Sequence, residues 1–155
     1  MKNYLSLYKE YNNRYYYMPF SVYTTLYDLY MFITNDYHPD DPKLFTEETK
    51  FFNIIYIYND INNKLAYIGL HHDDENHELF QDDSPELVDY VNETNSCKIS
   101  VDNFQEFIQN WRQIKKELPA FAIIYRDDKD WVHCQGFQLK EDMEQFIQDA
   151  QQIVN

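Results

Sequence analysis

The chain predicts an α+β domain: a mixed or antiparallel sheet of about five strands, built from two hairpins and covered by several helices. Three observations predict it. Short runs rich in Ile, Tyr and Phe at 51–58 and 120–125 are each followed by a turn cluster and a second strand-like run, at 65–70 and 131–137. Apolar residues elsewhere recur at three- and four-residue offsets, most clearly over 101–118, which marks amphipathic helices. A length of 155 residues with 44% hydrophobic content fits one globular domain, 1–155, with a core of its own.

In chain order, Tyr4, Tyr8, Tyr11 and Tyr15 keep helical spacing beside Leu5 and Leu7, predicting a first helix over about residues 3–13. Such a tyrosine stripe suits packing on a sheet with hydroxyls at the rim. Ser21 is the expected N-cap of a second helix, in which Val22, Leu26, Leu29, Tyr30 and Ile33 share a face. Tyr23, Tyr27 and Phe32 lie on its other sides, so it should be buried nearly all round and end near Asn35 and Asp36. Pro39 and Pro42 around Asp40 and Asp41 mark a loop over 37–43.

The run 51–58 lacks polar alternation, so a central strand with both faces covered is expected. A turn at 59–63 leads to the returning strand, where Gly69 predicts a bulge or a close backbone approach. Ser84-Pro85-Glu86 is a helix start, with Leu87, Val88 and Val91 facing inward. A short strand over 96–100 follows. Ser100 then caps the 101–118 helix, whose inner face is Phe104, Phe107, Ile108, Trp111, Ile114 and Leu118, and Pro119 ends it. The second hairpin turns at Asp127-Asp128-Lys129-Asp130. A last helix carries Leu139, Met143, Phe146, Ile147, Ala150 and Ile153 inward. Residues 52–56 echo 121–125, which is compatible with two αββ units and equally with chance in a Tyr- and Ile-rich chain.

Thirteen Lys and Arg against 27 Asp and Glu leave a net charge of -14. Such a field repels nucleic acid and anionic membrane and attracts cations and basic proteins. The N-terminal residues lack a signal-peptide apolar core, and no apolar run suits a membrane helix, so a cytoplasmic protein is expected. Cys97 and Cys134 have no CxxC spacing and read as free thiols.

His71-His72-Asp73-Asp74-Glu75-Asn76-His77-Glu78 holds metal-ligand residue types but matches no ligand template, so no metal is expected. The Asp127–Asp130 turn lacks the Gly and terminal Glu of a calcium loop. Two glycines in the whole chain exclude a Gly-rich nucleotide cradle, and no nucleophile motif is present. No catalytic residue, cofactor or enzymatic activity is therefore expected.

What stands out is that no Lys or Arg lies between Lys64 and Lys98, while acids crowd 73–93. This tract leaves the end of an expected central strand, so rigid structure would present it. An anionic surface with aromatics beside it suits a basic cleft, such as that of a nuclease. The expected contacts are Asp73, Asp74, Glu75, Glu78, Asp82 and Asp83, with Tyr67, or Trp131 if it lies outside the core, as aromatic anchor.

Asn103-Phe104-x-x-Phe107-x-x-Asn110-Trp111-x-x-Ile114, then Pro119-x-Phe121-x-Ile123-Ile124, then Asp130-Trp131 resemble immunity proteins of bacterial polymorphic toxin systems, including contact-dependent growth inhibition. The likeness covers about residues 100–137 and rests on core and turn positions. It implies an inhibitor that occludes the active site of one cognate toxin domain and carries over no functional residue. Two rivals remain: an acidic DNA-mimic or regulatory binding protein, and a metal-dependent enzyme using the His71–Glu78 segment.

Overall fold

A computed structural model describes residues 1–19, 23–41, 43–70 and 90–152. The fold is α+β, with three helices and two four-stranded antiparallel sheets among the described residues. The chain divides into two compact units, residues 1–26 with 103–155, and residues 27–102.

The first unit is built on the sheet β2-β1-β7-β8, formed by β1 (Asn3–Lys9), β2 (Tyr15–Tyr17), β7 (Phe121–Arg126) and β8 (Val132–Phe137). The segment expected as the first helix is therefore a strand and a hairpin. A four-residue spacing is a multiple of the strand period of two and close to the helical turn, so Tyr4 and Tyr8 satisfy both readings. Leu5 and Leu7 decide for the strand: they alternate onto one face and are almost fully buried beside Ile124 and Ala122, their register partners. Asn13, at φ 62, takes the left-handed position in the turn to β2, a conformation Asn tolerates.

Helix α2 (Val101–Glu117) covers the Leu5 and Leu7 face. Trp111 lies 5.9 Å from the Tyr15 ring and stacks on Phe107. The Leu118 amide closes its last turn on the Ile114 carbonyl, and Pro119 prevents continuation. Helix α3 (Lys140–Gln152) covers the other face, with Met143 and Ile147 against Ile123. The second hairpin and these two helices fall where the periodicity predicts them.

The second unit carries the sheet β3-β4-β5-β6, made of β3 (Thr49–Phe51), β4 (Ile55–Asp60), β5 (Leu65–Leu70) and β6 (Cys97–Ser100). The 51–58 run breaks at 52–54 into a turn between β3 and β4. β4 is central as expected, with consecutive Ile55, Tyr56 and Ile57 all fully buried, so both faces are covered. Gly69 marks a close approach and no bulge: it pairs in register with Tyr56, and a Cβ there would be driven into the Tyr56 ring. Helix α1 (Leu26–Asn35) begins at Thr24, whose hydroxyl accepts the Leu26 amide, and buries Leu26, Leu29, Tyr30 and Phe32. The expected cap Ser21, and the helix start at residues 84–89, lie outside the described residues.

The two predicted hairpins thus found separate sheets of four strands instead of sharing one of about five. Each hairpin has partner strands of its own: β3 and β6 flank the β4–β5 hairpin, and β1 pairs with β7. The echoed pentapeptides do not align these elements, because 52–54 is turn whereas 121–125 is strand throughout.

Candidate functional site

Asp73, Asp74, Glu75, Glu78, Asp82 and Asp83 lie outside the described residues, as does the His71–Glu78 segment. The strand that leads to them is described, and Tyr67 stands on it. On β4 and β5, side chains alternate between a core face (Ile57, Asn59, Ala66, Ile68) and a second face. The second face is closed at the Tyr56 end and half-open at Tyr58, Tyr67 and Asp60. Tyr58 and Tyr67 are direct cross-strand partners, ring centroids 6.2 Å apart. Burial, then the neighbouring carboxylates of Glu48 and Asp60 and the Tyr67 hydroxyl, push the Tyr58 hydroxyl above its ordinary pKa, so these four side chains share one field.

Tyr67 is half-buried on this face, and the sequence does not mark Tyr58, Glu48 and Asp60 as its neighbours. The signal was the turn: once Asp60 pairs with Leu65, positions 58 and 67 must face each other. Lys98 lies opposite Tyr67 on β6, and its ammonium is 2.8 Å from the Glu93 carboxylate.

The formal charge is strongly segregated along the chain. Residues 1–26 with 103–155 carry nine Lys and Arg against ten Asp and Glu; residues 27–102 carry four against seventeen. Nearly all of the net charge therefore belongs to the unit that contains Tyr67 and the acidic tract.

Trp131, the alternative anchor, belongs to the other unit. It is half-buried at the foot of β8. Its indole Nε1 donates to Glu106 Oε2 at 3.0 Å, and its backbone amide donates to Asp127 Oδ1 at 3.0 Å. The hairpin acids around it have local partners. Asp127 Oδ2 meets His133 Nε2 at 2.7 Å, Asp128 pairs with the N-terminal ammonium, and Asp130 pairs with Lys2. Burial works to raise the Asp127 carboxyl, but hydrogen bonds from His133, Trp131 and Lys129 outweigh it and hold the carboxyl below its ordinary pKa. This is turn chemistry, as the sequence suggests.

The His133–Asp127 pair has the composition of a general base, yet the adjacent thiol is on the opposite strand face. Cys134 Sγ approaches the Phe107 carbonyl, and burial pushes its pKa to about 12. Cys97 and Cys134 are both free thiols. Among the described residues, no three His, Cys, Asp or Glu side chains converge as a metal site, and no helix is long and apolar enough to cross a membrane. In comparisons with protein-family models, curated proteins and solved structures, nothing matches this chain.

Proposed function

We propose that this protein is a stoichiometric inhibitor of the immunity class, which binds a basic toxin domain, with a nuclease as the favoured activity, and occludes its active site. The single observation that carries the reading is the segregation of charge. Seventeen acids against four bases fall in the unit where Tyr58 and Tyr67 line a half-open sheet face. Long-range attraction would speed encounter with a cationic cleft, and Asp73, Asp74, Glu75, Glu78, Asp82 and Asp83 would meet its Lys and Arg. Tyr67, backed by Tyr58, would supply the aromatic anchor that most interfaces need for tight binding. The resemblance over about residues 100–137 is what turns a general acidic binder into an immunity protein.

The test reads the DNA beside this gene and titrates a toxin domain encoded there calorimetrically with this protein; flanking DNA that encodes none, or a domain that does not bind, would count against the reading. A one-to-one complex with a dissociation constant on the order of nanomolar, about -12 kcal/mol, is expected. Tyr67→Ala should cost about 2 kcal/mol, roughly thirtyfold in affinity. Reversing Asp73, Asp74, Asp82 and Asp83 to Lys should weaken binding further and flatten its salt dependence. Affinity and salt slope both unchanged by that reversal would remove the acidic tract from the interface.

A further inference from the structure

The unit that is close to neutral has a surface of the opposite character. The turn of the β1–β2 hairpin carries Tyr11, 97% exposed. Arg14, on the same turn, is exposed. The last turn of α2 brings Lys115 against it: the ammonium lies 5.5 Å from the centre of the Tyr15 ring and 3.4 Å from the Asn13 carbonyl. Burial and the Arg14 guanidinium both lower the Lys115 pKa, so the two cations feel each other. Lys9 completes the group and donates to the Leu118 carbonyl at 2.8 Å.

This arrangement runs against the composition. Acids outnumber bases two to one, yet none of the ion pairs among the described residues includes Lys9, Arg14 or Lys115. The nearest acids on the same elements are Glu10 and Glu117. Glu10 meets Arg14 through its backbone amide, and the Glu117 carboxylate accepts from Gln113 at 2.6 Å. Adjacent cations beside an exposed tyrosine have the composition of the centre of a protein interface, where Tyr and Arg are enriched.

We infer that the β1–β2 hairpin with the C-terminal turn of α2 is a docking surface for a second copy of this chain, whose acidic unit supplies the carboxylates that Arg14 and Lys115 lack. Charge complementarity selects that occupant: residues 27–102 of another copy offer seventeen acids against four bases. The inference does not rest on the toxin reading, because the hairpin surface is not used there, although the acidic unit it would engage is the one assigned to the toxin, so the two partners would compete for it. Two copies at -14 each repel at long range. Their repulsion reaches about 30 Å at 0.01 M salt and about 8 Å at 0.15 M, whereas contact pairs are screened less. Association should therefore be strongest at intermediate salt.

Sedimentation equilibrium of the full chain across concentration and salt tests this. The expected result is self-association that strengthens from about 0.01 M to about 0.15 M salt and weakens again near 1 M. Arg14→Glu with Lys115→Glu should weaken it at least tenfold, and Tyr11→Ser severalfold; all three side chains are exposed, so the variants should keep the circular dichroism of the parent. A second measurement is zero-length amine–carboxyl cross-linking of an equal mixture of isotope-labelled and unlabelled protein. It should give mixed-isotope peptides joining Lys9 or Lys115 to an acid within residues 27–102. A monomer under all conditions, association indifferent to the charge reversal, or mixed peptides confined to other sites would each overturn the inference.

Discussion

Tyr56 fills the space that a side chain at position 69 would need. Its ring is fully buried over Gly69 and cannot swing out, which is why a residue with no Cβ sits in the middle of a paired strand. Gly69→Ala should therefore destabilise the protein by about 2 kcal/mol, the cost of overpacking a closed core. Thermal unfolding measures it, and an unchanged midpoint would mean that Tyr56 does not occupy that space. At the same scale, Asn59 is almost fully buried and donates to the carbonyls of Leu44 and Glu47 at 3.0 and 2.7 Å, pinning that loop to β4. The glycine was readable as a close approach because few other reasons place Gly inside a strand. Its partner was not readable, since the ring that meets it is named only by the β4–β5 register.

At the scale of elements, local chemistry decides turns, and distant pairing decides what they join. The β7–β8 turn is made by Asp127, whose Oδ1 accepts from Lys129 and Trp131 while Oδ2 meets His133; Asp130 takes the left-handed position at φ 67. The Asp127 pKa is depressed in the fold, so its contribution is fully present above the unfolded value near about 4 and is lost as pH falls through the folded value. Asp127→Asn should lower stability at neutral pH by about 1 kcal/mol, a charge-assisted hydrogen bond discounted for solvent exposure. That deficit should close as pH falls below about 4, because the parent then loses the same charge. Melting curves of both proteins against pH check it; a constant gap would mean that the charge plays no part. The tyrosine run at the N-terminus shows the opposite case. The Tyr4–Tyr8 spacing fits helix and strand alike, and the buried pairing of Leu5 and Leu7 with β7 chooses between them.

For the whole molecule, the dominant fact is where the charge lies. Like charges concentrated in residues 27–102 repel one another in the folded state, and added salt screens them. The melting temperature of dilute protein should thus rise between about 0.01 and 0.15 M sodium chloride. A fall over that range would mean that attractive surface pairs outweigh the repulsion. Helix α2 and the β7–β8 hairpin, with Trp131 beside it, belong mainly to the near-neutral unit, whereas Tyr67 and the acidic tract belong to the other.

The sequence by itself determined the α+β class, the two hairpins, the α2 and α3 helices and the amount of acid. Each depends on periodicity, capping or turn residues acting over a few positions, or on a plain count. Tertiary structure alone decided that there are two sheets, that β1 is a strand, and that Tyr58 and Tyr67 face each other in the field of Glu48 and Asp60. Those outcomes come from strand registers such as Leu5 with Ile124, joining opposite ends of the chain, and no local pattern encodes which distant edge a strand will take.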